Sequence, residues 1–224
     1  MKINLGSLNN KIIEAGKRAY ARGYIAANDG NISARIDKKY ILITPTGMSK
    51  GFMKASDLIV VDMHGKKISG KGEPSSEMQM HLQIYKERLG VNSVCHLHPP
   101  YATGFAVAGI SLDQDVLQEV VITLGTIPLV PYGTTGSEEL YKPLLPLLKN
   151  CDAFLLANHG ALTVGTDVFD AYFKMEILEH YAHILFIAKQ LGKVNTLNAE
   201  QMQKLAALRE KYGLRSTLGN DFIN

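Results

Sequence analysis

A chain of 224 residues, 46% hydrophobic and 20% charged, has the balance of a globular protein long enough to bury a sizeable core. The formal net charge of +3 comes from scattered lysines and arginines, which excludes a basic stripe for nucleic acid. Cys95 and Cys151 lie far apart and form no disulfide framework, the N-terminus lacks a secretory apolar core, and no apolar run reaches membrane-spanning length, so a cytoplasmic location is expected.

Taken in order, Leu8, Ile12, Ile13, Tyr20 and Tyr24 set a helical stripe over 8–24. The turn-rich run Ala27-Asn28-Asp29-Gly30-Asn31-Ile32-Ser33 leads into a hairpin, 32–36 and 40–44, which ends at Thr44-Pro45-Thr46-Gly47. A strand at 58–62 turns through Met63-His64-Gly65 into a short strand near Ile68. Ser75-Ser76 reads as the N-cap of a helix over 77–89. Strand 92–97 follows, then helical pieces at 101–108 and 114–123, strand 127–130 and helix 137–149. The fully apolar strand 153–157, a short strand 161–164, a long helix 167–191 and a terminal helix 198–211 complete the chain. No repeat or linker divides it, so 1–224 is read as a single domain, with about 198–224 as a C-terminal helix and tail. Early hairpins and later interleaved helices suit an α/β sandwich around a mixed, mainly antiparallel sheet.

The chemistry begins at Val94-Cys95-His96-Leu97-His98-Pro99-Pro100. Residues i and i+2 of a strand share a face, so His96 and His98 can present two imidazoles to one point, and the prolines stop the strand there. His159, held in an Asn158-His159-Gly160 turn after a buried strand, is the natural third ligand. Glu77, in the first turn of the helix opened by Pro74-Ser75-Ser76, is the natural fourth; it also reads as a carboxylate favoured by the helix dipole. Three imidazoles and a carboxylate suit a divalent metal such as Zn2+, with Mn2+ or Co2+ also possible. Ser75-Ser76 at a helix N-terminus, Gly30-Asn31 and Thr46-Gly47 are segments of the kind that meet an anion with N–H groups, though each also reads as a plain cap or turn. His81 shares a face with Met78, Leu82 and Tyr85 and reads as a core histidine.

The ordered set Gly30-Asn31-Ile32-Ser33, Ile43-Thr44-Pro45-Thr46-Gly47, Pro74-Ser75-Ser76-Glu77, His96-Leu97-His98 and Asn158-His159-Gly160 resembles the class II aldolase/adducin-head family, over about residues 8–215. The resemblance is nearest to that family's sugar-phosphate aldolases. It implies a three-layer αβα sandwich and a homotetramer with active sites at subunit interfaces. It implies Zn2+ held by His96, His98 and His159, with Glu77 as ligand and base. It also implies a substrate phosphate among Gly30, Asn31, Thr46, Gly47, Ser75 and Ser76, with Asn28 nearby. The family's epimerases carry aspartate where this chain has Glu77, which leans toward the aldolases.

One departure matters. Counted from His96 without gaps, the proton-donating tyrosine of the fuculose-phosphate enzymes falls at Leu117. Glu119, two residues on, looks like the acid/base glutamate of the family's dehydratases, and also reads as an exposed helix residue. Tyr212, in a tail similar to that of the aldolases, is a second candidate, there reaching a neighbouring subunit's site. The expected reaction is retro-aldol cleavage of a ketose 1-phosphate, of fuculose or 5-deoxyribulose type, to dihydroxyacetone phosphate and an aldehyde. A methylthioribulose-1-phosphate type of dehydration, a 4-epimerisation and a non-catalytic adducin-like module are the alternatives, in that order.

Overall fold

The computed structural model describes residues 5–212 and Leu214. Its strands are β1 (Asn31–Arg35), β2 (Tyr40–Ile43), β3 (Ile59–Asp62), β4 (Lys67–Ser69), β5 (Ser93–Leu97), β6 (Leu129–Val130), β7 (Ala153–Leu156) and β8 (Gly160–Gly165). They form one sheet in the order β4-β3-β2-β1-β5-β8-β7-β6. Every neighbouring pair is antiparallel except β6 with β7.

Side-chain alternation sorts the sheet into two buried faces. Cys95 and Leu97 of β5, with Ala153 and Leu155 of β7, join the core under α1 (Leu5–Ala21), α3 (Pro100–Val107) and α6 (Val168–Leu191). Val94, Phe154, Leu156, Leu162 and Val164 join the opposite core, under α2 (Met78–Glu87), α5 (Glu138–Tyr141) and a 3-10 turn at Leu145–Lys149. This is the expected αβα sandwich with a mixed, mainly antiparallel sheet. Outside it, α4 (Gln118–Thr123) packs on α7 (Ala199–Lys211) through Val121, Met202 and Leu205. The buried Arg209 guanidinium fixes that pair by donating to the carbonyls of Val121 and Ile122.

Three of the boundaries that differ from the sequence expectation have a clear physical cause. α1 ends at Ala21 rather than near residue 24, because Gly23 takes a left-handed φ of 71°. Tyr24 N–H then bonds to Ala19 O and Gly23 N–H to Tyr20 O, which closes the helix with a Schellman cap. The helix expected over 114–123 begins only at Gln118. Upstream carbonyls are taken by other elements: Tyr181 Oη donates to Gln114 O at 2.5 Å and Leu197 N–H to Asp115 O at 2.7 Å. The helix expected over 137–149 divides into α5 and the 3-10 turn, since Pro143 and Pro146 carry no N–H for a continuous helical ladder. No helix among the described residues is long and apolar enough to cross a membrane.

Candidate functional site

β5 delivers the first two imidazoles. His96 is fully buried on the α2 face of the sheet, and His98 follows the strand's last residue. His159 lies in the β7–β8 turn, where Asn158 adopts a left-handed φ of 56°. Gly160 leaves the space these rings need: a Cβ there would stand 2.5 Å from His98 Cδ2 and 2.7 Å from the Leu97 carbonyl. Ring centroids are 5.0 Å apart for His96–His98, 4.7 Å for His96–His159 and 5.1 Å for His98–His159. One ligand nitrogen from each ring lies within 4.8 Å of the others, so the group is able to hold a metal ion. His96 Nδ1–H donates to Ala161 O at 2.9 Å, so Nε2 is the ring nitrogen that faces the group.

Glu77 closes the cluster. It is the N-cap of α2 rather than its first helical residue, and it is buried. Its Oε2 lies 3.2 Å from His96 Nε2 and accepts a 2.6 Å hydrogen bond from Asn31 Nδ2. Its Oε1 lies 3.3 Å from His159 Nε2 but has no hydrogen-bond partner among the described residues. Burial opposes the charge on Glu77, yet His96, His159 and the Asn31 bond outweigh it and hold the carboxyl well below its usual range. Burial first, then repulsion from His96, brings His98 and His159 down to about 4, so both rings stay neutral with lone pairs available. A buried acceptor without a donor is costly unless something completes it. Burial pulls His96 down, but the Glu77 carboxylate beside it raises the ring above its usual value, so a metal would displace that proton. Three imidazoles and an unmatched carboxylate oxygen are the donor set that a borderline divalent metal completes.

The three anion-type segments are tied together. Thr46 N–H donates to Glu73 O and Ser75 N–H to Thr44 O, joining the loop after β2 to the start of α2. Lys50, itself buried, donates from Nζ to Asn28 O at 2.6 Å and to Met48 O at 2.9 Å. It thereby fastens the Asn28–Gly30 loop to the Thr46–Met48 loop. Burial lowers the lysine to about 8, against the opposing pull of Asp29 and Glu77. Gly30 and Gly47 take left-handed φ values of 69° and 67°. Thr46, Gly47, Ser76 and Asn28 are exposed and Ser75 is buried. Asn31, expected among the phosphate-binding residues, instead turns its side chain toward Glu77 and His81.

Two predicted residues stand apart. Glu119 is exposed in the first turn of α4 and Tyr212 is 64% exposed at the end of α7. Among the described residues neither forms a hydrogen bond or ion pair with the histidines or Glu77. Sequence reasoning missed Lys50, and it placed His81 in the core without its role. His81 is fully buried, with Nε2 2.5 Å from Asn31 Oδ1 and Nδ1 2.6 Å from Ser33 Oγ. The available signal was spacing: His81 follows Glu77 by one helical turn, and Ser33 shares a strand face with Asn31.

Histidines and a carboxylate gathered at a strand mouth, beside tied anion-type loops, are the layout of a metal-dependent enzyme. The profile described as "Class II Aldolase and Adducin N-terminal domain" matches residues 10–186. An L-fuculose phosphate aldolase of Methanococcus maripaludis is 36% identical over 181 residues, covering 81% of this chain and 97% of that protein. A 3-oxo-tetronate 4-phosphate decarboxylase of Haemophilus influenzae is 34% identical over 199 residues, covering 87% of this chain and 93% of that protein. A solved structure of L-fuculose 1-phosphate aldolase superposes with a TM-score of 0.84 at 29% identity, over 93% of this chain and 97% of that one. The chain belongs to the class II aldolase and adducin N-terminal domain family, as one of its enzymes.

Proposed function

We propose that the protein is a divalent-metal-dependent lyase that breaks the C3–C4 bond of a ketose 1-phosphate, of fuculose or 5-deoxyribulose type, releasing dihydroxyacetone phosphate and an aldehyde. The observation that carries this reading is the unmatched Glu77 Oε1 beside converging imidazoles. His96, His98 and His159 would hold the ion, with Glu77 at or beside the fourth position. Their donor chemistry suits Zn2+, and Mn2+ or Co2+ less closely. When bound, the ion supplies a Lewis acid for the substrate carbonyl and for the negative charge that develops on it.

The chain's own groups do the rest. Gly30, Thr46, Gly47, Ser75 and Ser76, with Asn28 nearby, bind the phosphate through N–H and hydroxyl groups. Asn31 holds one Glu77 oxygen, so Oε1 is the atom that takes a proton from C3 in synthesis and, having taken one up from solvent, returns it to C3 in cleavage. The C4 hydroxyl proton needs a second group, for which Tyr212 and Glu119 are the candidates. Their exposure supports service to a neighbouring subunit of a homotetramer, a state that light scattering on the purified protein tests directly.

A second reading has its own support. Counted from His96 without gaps, Leu117 falls at the place of the aldolases' proton-donating tyrosine, and two relatives are named 3-oxo-tetronate 4-phosphate decarboxylases. Loss of CO2 from a 3-oxo acid phosphate leaves the same enediolate of dihydroxyacetone phosphate. Glu77 can reprotonate it, and no group is needed at an aldehyde oxygen.

One panel separates the readings. The Zn2+-loaded protein is given fuculose 1-phosphate, 5-deoxyribulose 1-phosphate and 3-oxo-tetronate 4-phosphate, and dihydroxyacetone phosphate is measured by coupled reduction. Release from a ketose 1-phosphate supports the aldolase. Release with CO2 from the 3-oxo acid alone replaces it with the decarboxylase, and no release from any substrate refutes both. Glu77→Gln should keep most of the metal and lose about 10²–10⁴-fold in turnover, the range for a general acid–base group.

A further inference from the structure

Glu77 is the end of a longer buried chain of polar groups. Asn31 Nδ2 lies 2.6 Å from Glu77 Oε2, and Asn31 Oδ1 lies 2.5 Å from His81 Nε2. His81 Nδ1 lies 2.6 Å from Ser33 Oγ, which lies 2.7 Å from Tyr85 Oη. Asn31, Ser33 and His81 are 3%, 0% and 0% exposed, and Tyr85 is fully buried, so bulk water supplies none of the partners.

The chemistry allows one sense of donation. A carboxylate 2.6 Å away must face the amide NH2, since an amide oxygen there would set acceptor against acceptor. The amide oxygen therefore faces His81, whose Nε2 must carry the hydrogen. A neutral imidazole with hydrogen on Nε2 accepts at Nδ1, so Ser33 donates to it, and Tyr85 donates to Ser33. Four donors in series, Tyr85, Ser33, His81 and Asn31, all aim toward Glu77. Such aligned chains polarise one another in the same direction.

We propose that His81 is a positioning residue that acts through Asn31. It locks the Asn31 amide with NH2 toward Glu77, keeps Oε2 engaged and leaves Oε1 as the only reactive carboxylate oxygen. Tyr85 and Ser33 in turn fix the tautomer of His81. Arg35 anchors the far end, donating to Tyr85 O at 2.7 Å with its guanidinium 4.8 Å from the Tyr85 ring centre. The proposal rests on Glu77 being the reactive carboxylate of the function proposed above.

The test uses 15N-histidine-labelled protein, metal-free and Zn2+-loaded, and two variants: His81→Phe and His81→Gln. The nitrogen shifts of His81 should report a neutral Nε2–H tautomer in both forms; a Nδ1–H tautomer or a cation overturns the proposal. His81→Phe should weaken Zn2+ binding, measured by competition with a chromophoric chelator, by about 10–100-fold, the usual loss when a group behind a metal ligand is removed. His81→Gln, whose amide can still donate to Asn31, should recover most of that affinity. Equal affinity in wild type and His81→Phe, or losses in the two His81 variants that match each other and follow only the melting temperature, overturns it. These readouts need no turnover. If the panel of substrates gives no product while the tautomer and Zn2+ results hold, the reaction assignment fails and the positioning role stands. With an active substrate, kcat should fall about 10–100-fold in His81→Phe with KM nearly unchanged. A rise in KM alone would overturn the action through Glu77.

Discussion

Gly160→Ala is the most exacting check on the strand mouth. The added Cβ would stand 2.5 Å from His98 Cδ2 and 2.7 Å from Leu97 O, where ordinary contact begins at 3.4 Å. The Leu97 carbonyl belongs to a buried strand paired with β8 at Ala161, so it has little room to yield. The ring of His98 must move by most of an ångström, or the two strands must part. Overpacking of this kind costs about 1–3 kcal/mol. Carried by the metal-bound form, that strain is about 5–150-fold in the dissociation constant, since about 1.4 kcal/mol is tenfold. Metal ligands tolerate displacements of only about 0.2 Å, so His98 has no slack with which to absorb the change. The assay is Zn2+ titration of metal-free wild type and variant against a chromophoric chelator, with melting of both metal-free proteins as the packing control. The variant should melt about 2–4 °C lower for each kcal/mol of strain in a chain of this size. A Gly160→Ala protein that binds Zn2+ and melts as wild type does would refute this account of the site.

Lys50→Met should loosen the tie between the two loops that flank it. Its signature is a rise of about tenfold or more in KM for a phosphorylated substrate or in Ki for inorganic phosphate, about the 1.4 kcal/mol of one charged hydrogen bond, with kcat little changed. An unchanged Ki would remove Lys50 from that role. Because burial lowers Lys50 to about 8, phosphate inhibition of the native protein should weaken as pH rises through that value. His81 gives a test in acid. Burial, then repulsion from His96, lowers it from 6.5 to about 3, so the unfolded chain binds an extra proton between those values and stability falls as pH drops below 6.5. The contribution approaches about 1.4 kcal/mol per pH unit. Urea midpoints of metal-free wild type and His81→Phe at pH 7 and pH 5 should therefore draw closer in acid; parallel losses would contradict it.

Much of this site lay in short sequence periods. The His96 and His98 pair followed from strand alternation, and the apolar run at 153–157 predicted the buried strand that presents His159. Ser75-Ser76 marked the start of α2 to within two residues. What escaped depended on contacts between elements distant in sequence. Nothing local shows that Tyr181 and Leu197 claim the carbonyls of Gln114 and Asp115, so the helix there was drawn too long. Nothing local shows that Lys50 reaches back 22 residues to Asn28. His81 looked apolar because its neighbours on the helix are, and its polar partners come from another strand. Glu119 and Tyr212 are exposed, and no local signal in the sequence ties either one to the histidine cluster.

The pairing of β1 with β5 sets Asn31 opposite His96 and Ser33 opposite Val94. That register has a meaning beyond holding the sheet together. A slip of one residue would turn Ile32 toward Glu77 and put an apolar side chain where the carboxylate needs a donor. A slip of two would keep the face but offer Ser33, whose shorter side chain spans less of the gap to Glu77. The backbone ladder therefore works as a gauge: its fixed step spaces His96 and the Asn31 side chain that supports Glu77. Bonds at the far end of the ladder, such as Ser93 Oγ to Ser33 O at 2.7 Å and Arg35 N–H to Asn92 O at 2.8 Å, hold the setting of that gauge. Substitutions there would shift Asn31 and His96 relative to Glu77 without touching any of the three.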